Sequence, residues 1–168
     1  MMSDHVRTQL RDAVVAALRG NVAGVAERVF PGRTWPLSVD TDFPAILVFT
    51  PGGPSSYDTM GWGSATAPML VRQERVSAEV RVRTRAGGSA SDPTSGPRVE
   101  PDKALDDIAL EVERLVFQWA VGAALVQTLE LVNTQIETRV VGDAREGLLL
   151  LTWRAEIRTP AEAPDTAI

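Results

Sequence analysis

The chain has 168 residues, a formal net charge of -5 at pH 7 and an isoelectric point near 4.9. A chain of this length predicts one domain that buries about 70% of the surface exposed in its unfolded state. No apolar run approaches the roughly 20 residues that span a bilayer, so we expect a soluble protein that is not secreted. The absence of cysteine excludes disulfides, thiolate metal sites and cysteine nucleophiles, and the acidic balance argues against a general basic field that grips free nucleic acid.

The first part of the chain predicts helical segments followed by a buried strand. Apolar residues recur at helical spacing over residues 6–17, with Ser3 or Asp4 available as the N-cap. A second, short helical piece is predicted over residues 22–29. Residues 44–50, PAILVFT, form an apolar run bounded by prolines, which is typical of a strand covered on both faces near the middle of a sheet.

The second part predicts three amphipathic strands and a long helix. Residues 72–85 alternate, with apolar side chains on one face and charged ones on the other. An apolar stripe between Pro101 and Ala120 predicts the most regular helix. Residues 129–159 predict two long strands joined at Gly142-Asp143. In the last strand the residues expected to face the core are Leu149, Leu151, Trp153, Ala155 and Ile157.

The order helix, strand, strand, helix, strand, strand predicts the α/β fold class. We expect a single domain over residues 1–159, with a mixed sheet of four to five strands flanked by helices. Two stretches rich in Gly, Pro and Ser, residues 51–68 and 86–101, predict long loops that are either functional or disordered. Residues 160–168 are expected to form a flexible C-terminal tail.

No group of side chains predicts a catalytic, cofactor or metal site. His5 is the only histidine, and we interpret it as a surface residue. Asp40 and Asp42 form a D-x-D pair, but calcium takes about 6 to 8 oxygen ligands and no EF-hand pattern surrounds them. The glycines of residues 52–63 match neither common phosphate-binding pattern. We therefore expect no enzymatic activity, and an acid/base pair on the long loops is the alternative.

Two features are candidates for contacts with other chains. Trp62 lies in the middle of a predicted loop, so it either folds back on the core or is held out for a partner. Arg75, Arg81, Arg83 and Arg85 form a one-sided row on a predicted edge strand. Such a row is typical either of a solvated sheet face or of a subunit or tube contact, because guanidinium groups pair bidentately with carboxylates.

Five segments together cover most of residues 9–159: QLRDAVVAAL, RVFPGRTWPLSVDTDFPAILVFTP, RVSAEVRVRTR, LDDIALEVERLV and TQIETRVVGDAREGLLLLTWRAEIRT. They resemble the tail terminator proteins of long-tailed, siphovirus-like bacteriophages and related tailed particles. The resemblance implies an α/β fold with a mixed sheet flanked by helices. It also implies a homohexameric ring that caps the tail tube, stops tail polymerisation and provides the surface for head joining. The two long loops and the Pro-rich tail exceed the family pattern.

The same resemblance implies a set of partners and a location. The partners would be further copies of the chain, the tail tube protein and the head-tail connector protein, with no membrane and no free nucleic acid, although DNA would pass through the ring. The protein would be found in the virion, at the head-proximal end of the tail, after assembly in the host cytoplasm. Another head-tail joining or tail-completion protein is the alternative within this class. Outside it, a small ligand-binding or regulatory domain with a ferredoxin-like arrangement has the same element order.

Overall fold

The computed structural model describes residues 4–34, 37, 43–57, 68–85, 101–141 and 144–168. Along these residues the elements are α1 (Val6–Leu18), β1 (Val29–Pro31), β2 (Ala45–Phe49), β3 (Ser55–Tyr57), β4 (Met69–Arg85), α2 (Pro101–Gly122), β5 (Thr128–Val141) and β6 (Ala144–Pro160). The strands form one sheet in the order β1-β2-β4-β6-β5, with β3 paired to β4. The β1–β2 pair is parallel and the other pairs are antiparallel. The predicted single-domain α/β class is confirmed, with six strands instead of four to five.

Both helices pack on one face of the sheet, which we call the inner face; the opposite face is the outer face. α1 contacts β1, β2 and β4, and α2 contacts β4, β5 and β6. The predicted orientation of the last strand is confirmed, because its five apolar residues are buried in this layer. The sheet residues of the core are Val29, Ile46, Val48, Val76, Ala78, Val80, Val82, Leu149, Leu151, Trp153, Ala155 and Ile157.

The N-terminus of α1 is capped by a histidine side chain. His5 Nδ1 accepts a hydrogen bond from the backbone N–H of Arg7 at 3.1 Å, so His5 is the N-cap in the structure, where the sequence indicates Ser3 or Asp4. After the last residue of α1, Gly20 adopts a φ of 74°, a conformation that glycine reaches without steric cost. Five apolar residues of α1 are buried: Val6, Leu10, Val14, Val15 and Leu18.

The predicted helical piece over residues 22–29 is wrong. This segment forms a series of turns, and Val29 begins β1, where it pairs with Ile46. Gly24 and Ala26 have φ values of 75° and 52°, which a right-handed helix cannot contain. Val22 is nevertheless buried, because the apolar residues that suggested a helix pack into the core from turns.

β2 is covered on both faces, as predicted, although it lies between the short β1 and β4. Ile46 and Val48 face the helices, and Ala45 and Leu47 are equally buried on the outer face. Part of the predicted loop at residues 51–68 also belongs to the sheet, since β3 pairs with β4. The rest of that loop, with Trp62, and nearly all of the loop at 86–101 lie outside the described residues.

The C-terminal segment, predicted to be a flexible tail, lies against the body of the domain. The backbone N–H of Val6 donates to the carbonyl of Pro164 at 3.3 Å, and Gln9 Nε2 donates to the carbonyl of Asp165 at 2.7 Å. Gln127 Nε2 donates to the carbonyl of Ile168 at 2.7 Å. These hydrogen bonds join the segment to the start of α1 and to the residue just before β5.

Candidate subunit interface

β4, the strand that carries the arginine row, is an interior strand and not the predicted edge strand. Its whole length pairs with β6, from Met69 opposite Pro160 to Arg85 opposite Ala144. β2 and β3 pair with parts of its other side. Period-two alternation identifies the two faces of a strand, but it does not indicate whether a strand has neighbours on both sides. The prediction that β4 is an edge strand was therefore wrong, because the alternating pattern does not show how many neighbours a strand has.

Arg81 is bound within the subunit by a buried carboxylate on the outer face. Glu79 is only 1% exposed. Its carboxylate accepts hydrogen bonds from Arg81 Nε at 2.6 Å and from Arg33 Nε at 3.3 Å. The Arg33 guanidinium also lies over the ring of Phe49, 5.2 Å from the centroid. Because a buried charge is costly unless it is paired, we expect the loss of either arginine to destabilise the fold.

Arg83 is part of an ion-pair row that crosses three neighbouring strands. It lies opposite Glu146 of β6, which in turn lies opposite Arg139 of β5. Arg83 Nη1 is 3.7 Å from Glu146 Oε1, and Arg139 Nη2 is 2.8 Å from Glu146 Oε2. The Glu146 carboxylate thus pairs with two guanidinium groups. The three side chains together carry a net positive charge on the outer face.

Arg75 is the exposed arginine of the row. It lies opposite Arg154 of β6 and makes no ion pair within the part of the chain that the structure describes, whereas Arg154 is paired with Glu130 of β5. The structure therefore brings Arg75, Arg81 and Arg83 onto one face. The side chain of Arg85 and the whole of Trp62 lie outside the described residues. Their proposed role at a subunit or tube contact stays a prediction.

The exposed edge of the sheet is β5, which sequence reasoning did not single out. In the described sheet it pairs with β6 alone. Every residue from Asn133 to Val140 is exposed, on both faces of the strand. Ile136 is 52% exposed and Val140 is 72% exposed. The alternation of apolar and polar residues in VNTQIETRV is the available signal, but it indicates a half-buried strand and not a bare one.

The inner face of β5 is covered at its start, where Leu129 and Leu131 pack against the core, and is bare toward the hairpin end. α2 has 22 residues and β5 has 14. At 1.5 Å per helical residue and 3.3 Å per strand residue, they extend about 33 Å and about 46 Å, respectively. A difference of this size leaves the end of the β5–β6 hairpin beyond the reach of the helix that covers its base.

α2 carries a second exposed apolar surface. Leu110, Phe117 and Val121 are 72%, 37% and 91% exposed. Their spacing places them on one side of the helix, opposite the buried stripe that contains Leu105 and Val112. We call these three residues the α2 stripe. These exposed apolar side chains, which lie beside the exposed Arg114, form a surface available for a second contact.

Within the described residues, no group of three or more His, Asp and Glu side chains is placed to hold a metal ion. Asp40 and Asp42 lie outside them. No helix among these residues is both long enough and apolar enough to cross a membrane.

Comparison with known proteins finds similar chains among solved structures. No protein-family model matches the chain, and no curated protein matches it. A chain from a solved structure described as the virion of a native gene transfer agent particle is 20% identical, and the match covers 90% of this chain and 92% of that chain with a TM-score of 0.27. A likeness of this size does not carry a function from that chain to this one.

Proposed function

We propose that the chain is a structural virion protein of a tailed, phage-like particle. In this proposal it forms a closed ring, most simply of six subunits, which caps the head-proximal end of the tail tube, stops tail polymerisation and provides the surface for head joining. The observation that carries the proposal is the exposed edge strand β5, where residues 133–140 are open on both faces. The resemblance of five segments to tail terminator proteins specifies the kind of ring.

An open edge strand favours a subunit of an assembly over a monomer. Unpaired backbone N–H and C=O groups along an edge are a template for pairing with another chain, and monomeric proteins usually cover or shorten such edges. β5 has 14 residues, and Ile136 and Val140 add apolar surface to it. The opposite edge, β1, has three residues. Two such different edges favour a head-to-tail contact, which generates a ring when the rotation closes.

A ring of this kind acts by shape and contact, and we propose that the chain has no enzymatic activity. Its partners would be further copies of itself, the tail tube protein and the head-tail connector protein. The net charge of -5 supports protein partners over free nucleic acid, because sequence-independent nucleic-acid binding depends on neutralising phosphates with Lys and Arg. DNA would pass through the finished ring without being held by it.

The test combines the mass of the purified full-length chain with electron microscopy of particles. We expect the chain to form rings of uniform subunit number, alone or on the ends of added tail tubes. Particles made without the gene should have overlong tails that lack heads. A monomer at every concentration, with and without tubes, would contradict the proposal, as would tails of normal length joined to heads in the absence of the gene. Tails of normal length without heads would instead indicate the head-tail joining alternative.

A further inference from the structure

The chain exposes two separate apolar patches that are suited to each other. We infer that the bare inner face of the β5–β6 hairpin of one copy, with Ile136 and Val140, packs on the α2 stripe of the next copy. This inference rests on the proposed ring and specifies the contact that builds it. The occupant of each patch is therefore a second copy of the same chain.

The hairpin patch lies where the core layer ends. Ile136 is opposite Leu149 of β6, and Val140 is opposite Arg145, so all four residues lie on the inner face. Leu149 is buried, whereas Ile136 and Val140, one strand further out, are more than half exposed. Toward the hairpin end, the cover provided by the subunit's own helices thus stops between β6 and β5. A helix from another copy would continue the same layer.

The α2 stripe has the dimensions of such a cover. From Leu110 to Val121 the helix rises about 16 Å, at 1.5 Å per residue. From Ile136 to Val140 the strand rises about 13 Å, at 3.3 Å per residue. Phe117 lies between the ends of the stripe, where an aromatic ring can fill the space between two aliphatic side chains. One patch can therefore cover the other along its length.

The charges at the ends of the two patches are complementary. Asp106 is exposed one helical turn before Leu110 and makes no ion pair within the described part of the chain. On the hairpin, Arg145 is exposed on the inner face beside Val140. Opposite charges at one end of an apolar contact give it a direction and steer association. The acidic end of the stripe is expected to lie against the hairpin end.

The contact joins unlike patches, which decides the kind of assembly. Each copy carries one hairpin patch and one α2 stripe, on different elements. After two copies join, each pair still has one free patch of each kind, so addition continues until the ring closes. A twofold dimer would instead bring two copies of the same patch together.

Site-specific crosslinking tests this contact directly, because the chain contains no cysteine. We would prepare the double variant Leu110→Cys/Val140→Cys, which joins the two ends that the charges place together, and treat the assembled ring with a short bis-maleimide. We expect covalent ladders that reach the ring size. The matched control is Leu110→Cys/Arg75→Cys, which moves one cysteine to an exposed site on the outer face and should give no ladder. Equal mixtures of the single variants Leu110→Cys and Val140→Cys should give dimers and no longer products.

A second measurement uses the dissociation constant of the ring. Ile136→Asp should raise it by at least about tenfold, the range for a residue at the centre of an interface. Glu137→Gln, the next residue, points to the outer face and should change it by less than about twofold. Both positions are exposed, and a circular dichroism spectrum matching that of the unmodified chain would verify folding.

The outcomes separate this contact from the ring itself. Rings of normal mass that give no ladder, or that tolerate Ile136→Asp, would overturn the contact and leave the proposed function in place. Efficient crosslinking of Val140→Cys to itself would also overturn it, since that result requires contact between like patches. A chain that is monomeric with and without tail tubes would overturn both.

Discussion

Replacement of Trp153 by alanine tests the packing of the inner face. Trp153 is fully buried on β6, and its Nε1 has no hydrogen-bond partner. Burial of an indole removes about 200 Å² from water, which contributes about 5 kcal/mol at 25 cal/mol per Å². The unpaired N–H offsets about 1–3 kcal/mol of this. We therefore expect Trp153→Ala to lower the free energy of unfolding by about 2–4 kcal/mol, which overlaps the range of other large-to-small core substitutions.

Two control variants isolate the cause of this loss. Arg154→Ala changes the next residue on the strand, whose half-exposed side chain pairs with the exposed Glu130, and should cost less than about 1 kcal/mol. Trp153→Phe keeps an aromatic ring and removes the unpaired N–H, so it should cost less than about 1.5 kcal/mol. Urea titrations followed by far-ultraviolet circular dichroism measure all three. Similar losses for Trp153→Ala and Arg154→Ala would refute the orientation of β6.

Two further substitutions test the sheet beyond the core. Gly53→Ala should detach β3 or lower stability markedly, because a Cβ at Gly53 would lie 1.6 Å from the carbonyl oxygen of Gln73. The rate at which a protease cleaves the segment before β3 measures this effect. An unchanged cleavage rate would argue against the close approach of Gly53 to Gln73. Arg81→Glu should lower the urea midpoint, because it places a like charge beside the buried Glu79, whereas Arg75→Glu should leave it unchanged. Equal midpoints for these two variants would show that Arg81 is not needed to hold Glu79.

The parts of the fold that were predictable are those in which one element buries a single face. In β6 the alternation around Trp153 identified the core side, and in α2 the spacing from Leu105 to Val116 did the same, because these patterns depend only on the geometry of one strand or helix. β2 was also predictable from a local pattern, since an unbroken apolar run indicates burial on both faces.

The features that were not predictable depend on distant neighbours. Glu79 occupies a position that alternation assigns to a solvated face, yet it is buried because β2 flanks β4 and Arg33 and Arg81 supply its partners. Ile136 shows the reverse: it occupies an inner-face position but is exposed because the helices do not cover the hairpin end of β5. The candidate interface on β5 was missed for this reason. A local sequence pattern shows neither how far the helices extend over the sheet nor the order of the strands.

The pairing of β4 with β6 also determines the order in which the subunit can fold. β5 and β6 follow one another in the chain and can pair as soon as both exist, but β4 joins residues as distant as Met69 and Pro160. Pairing between distant segments is slow because the intervening chain must first be brought together. During synthesis, the edge of β4 that pairs with β6 stays open along its length until β6 has left the ribosome. An incomplete subunit therefore lacks the finished sheet, and assembly would begin only with chains whose translation has reached β6.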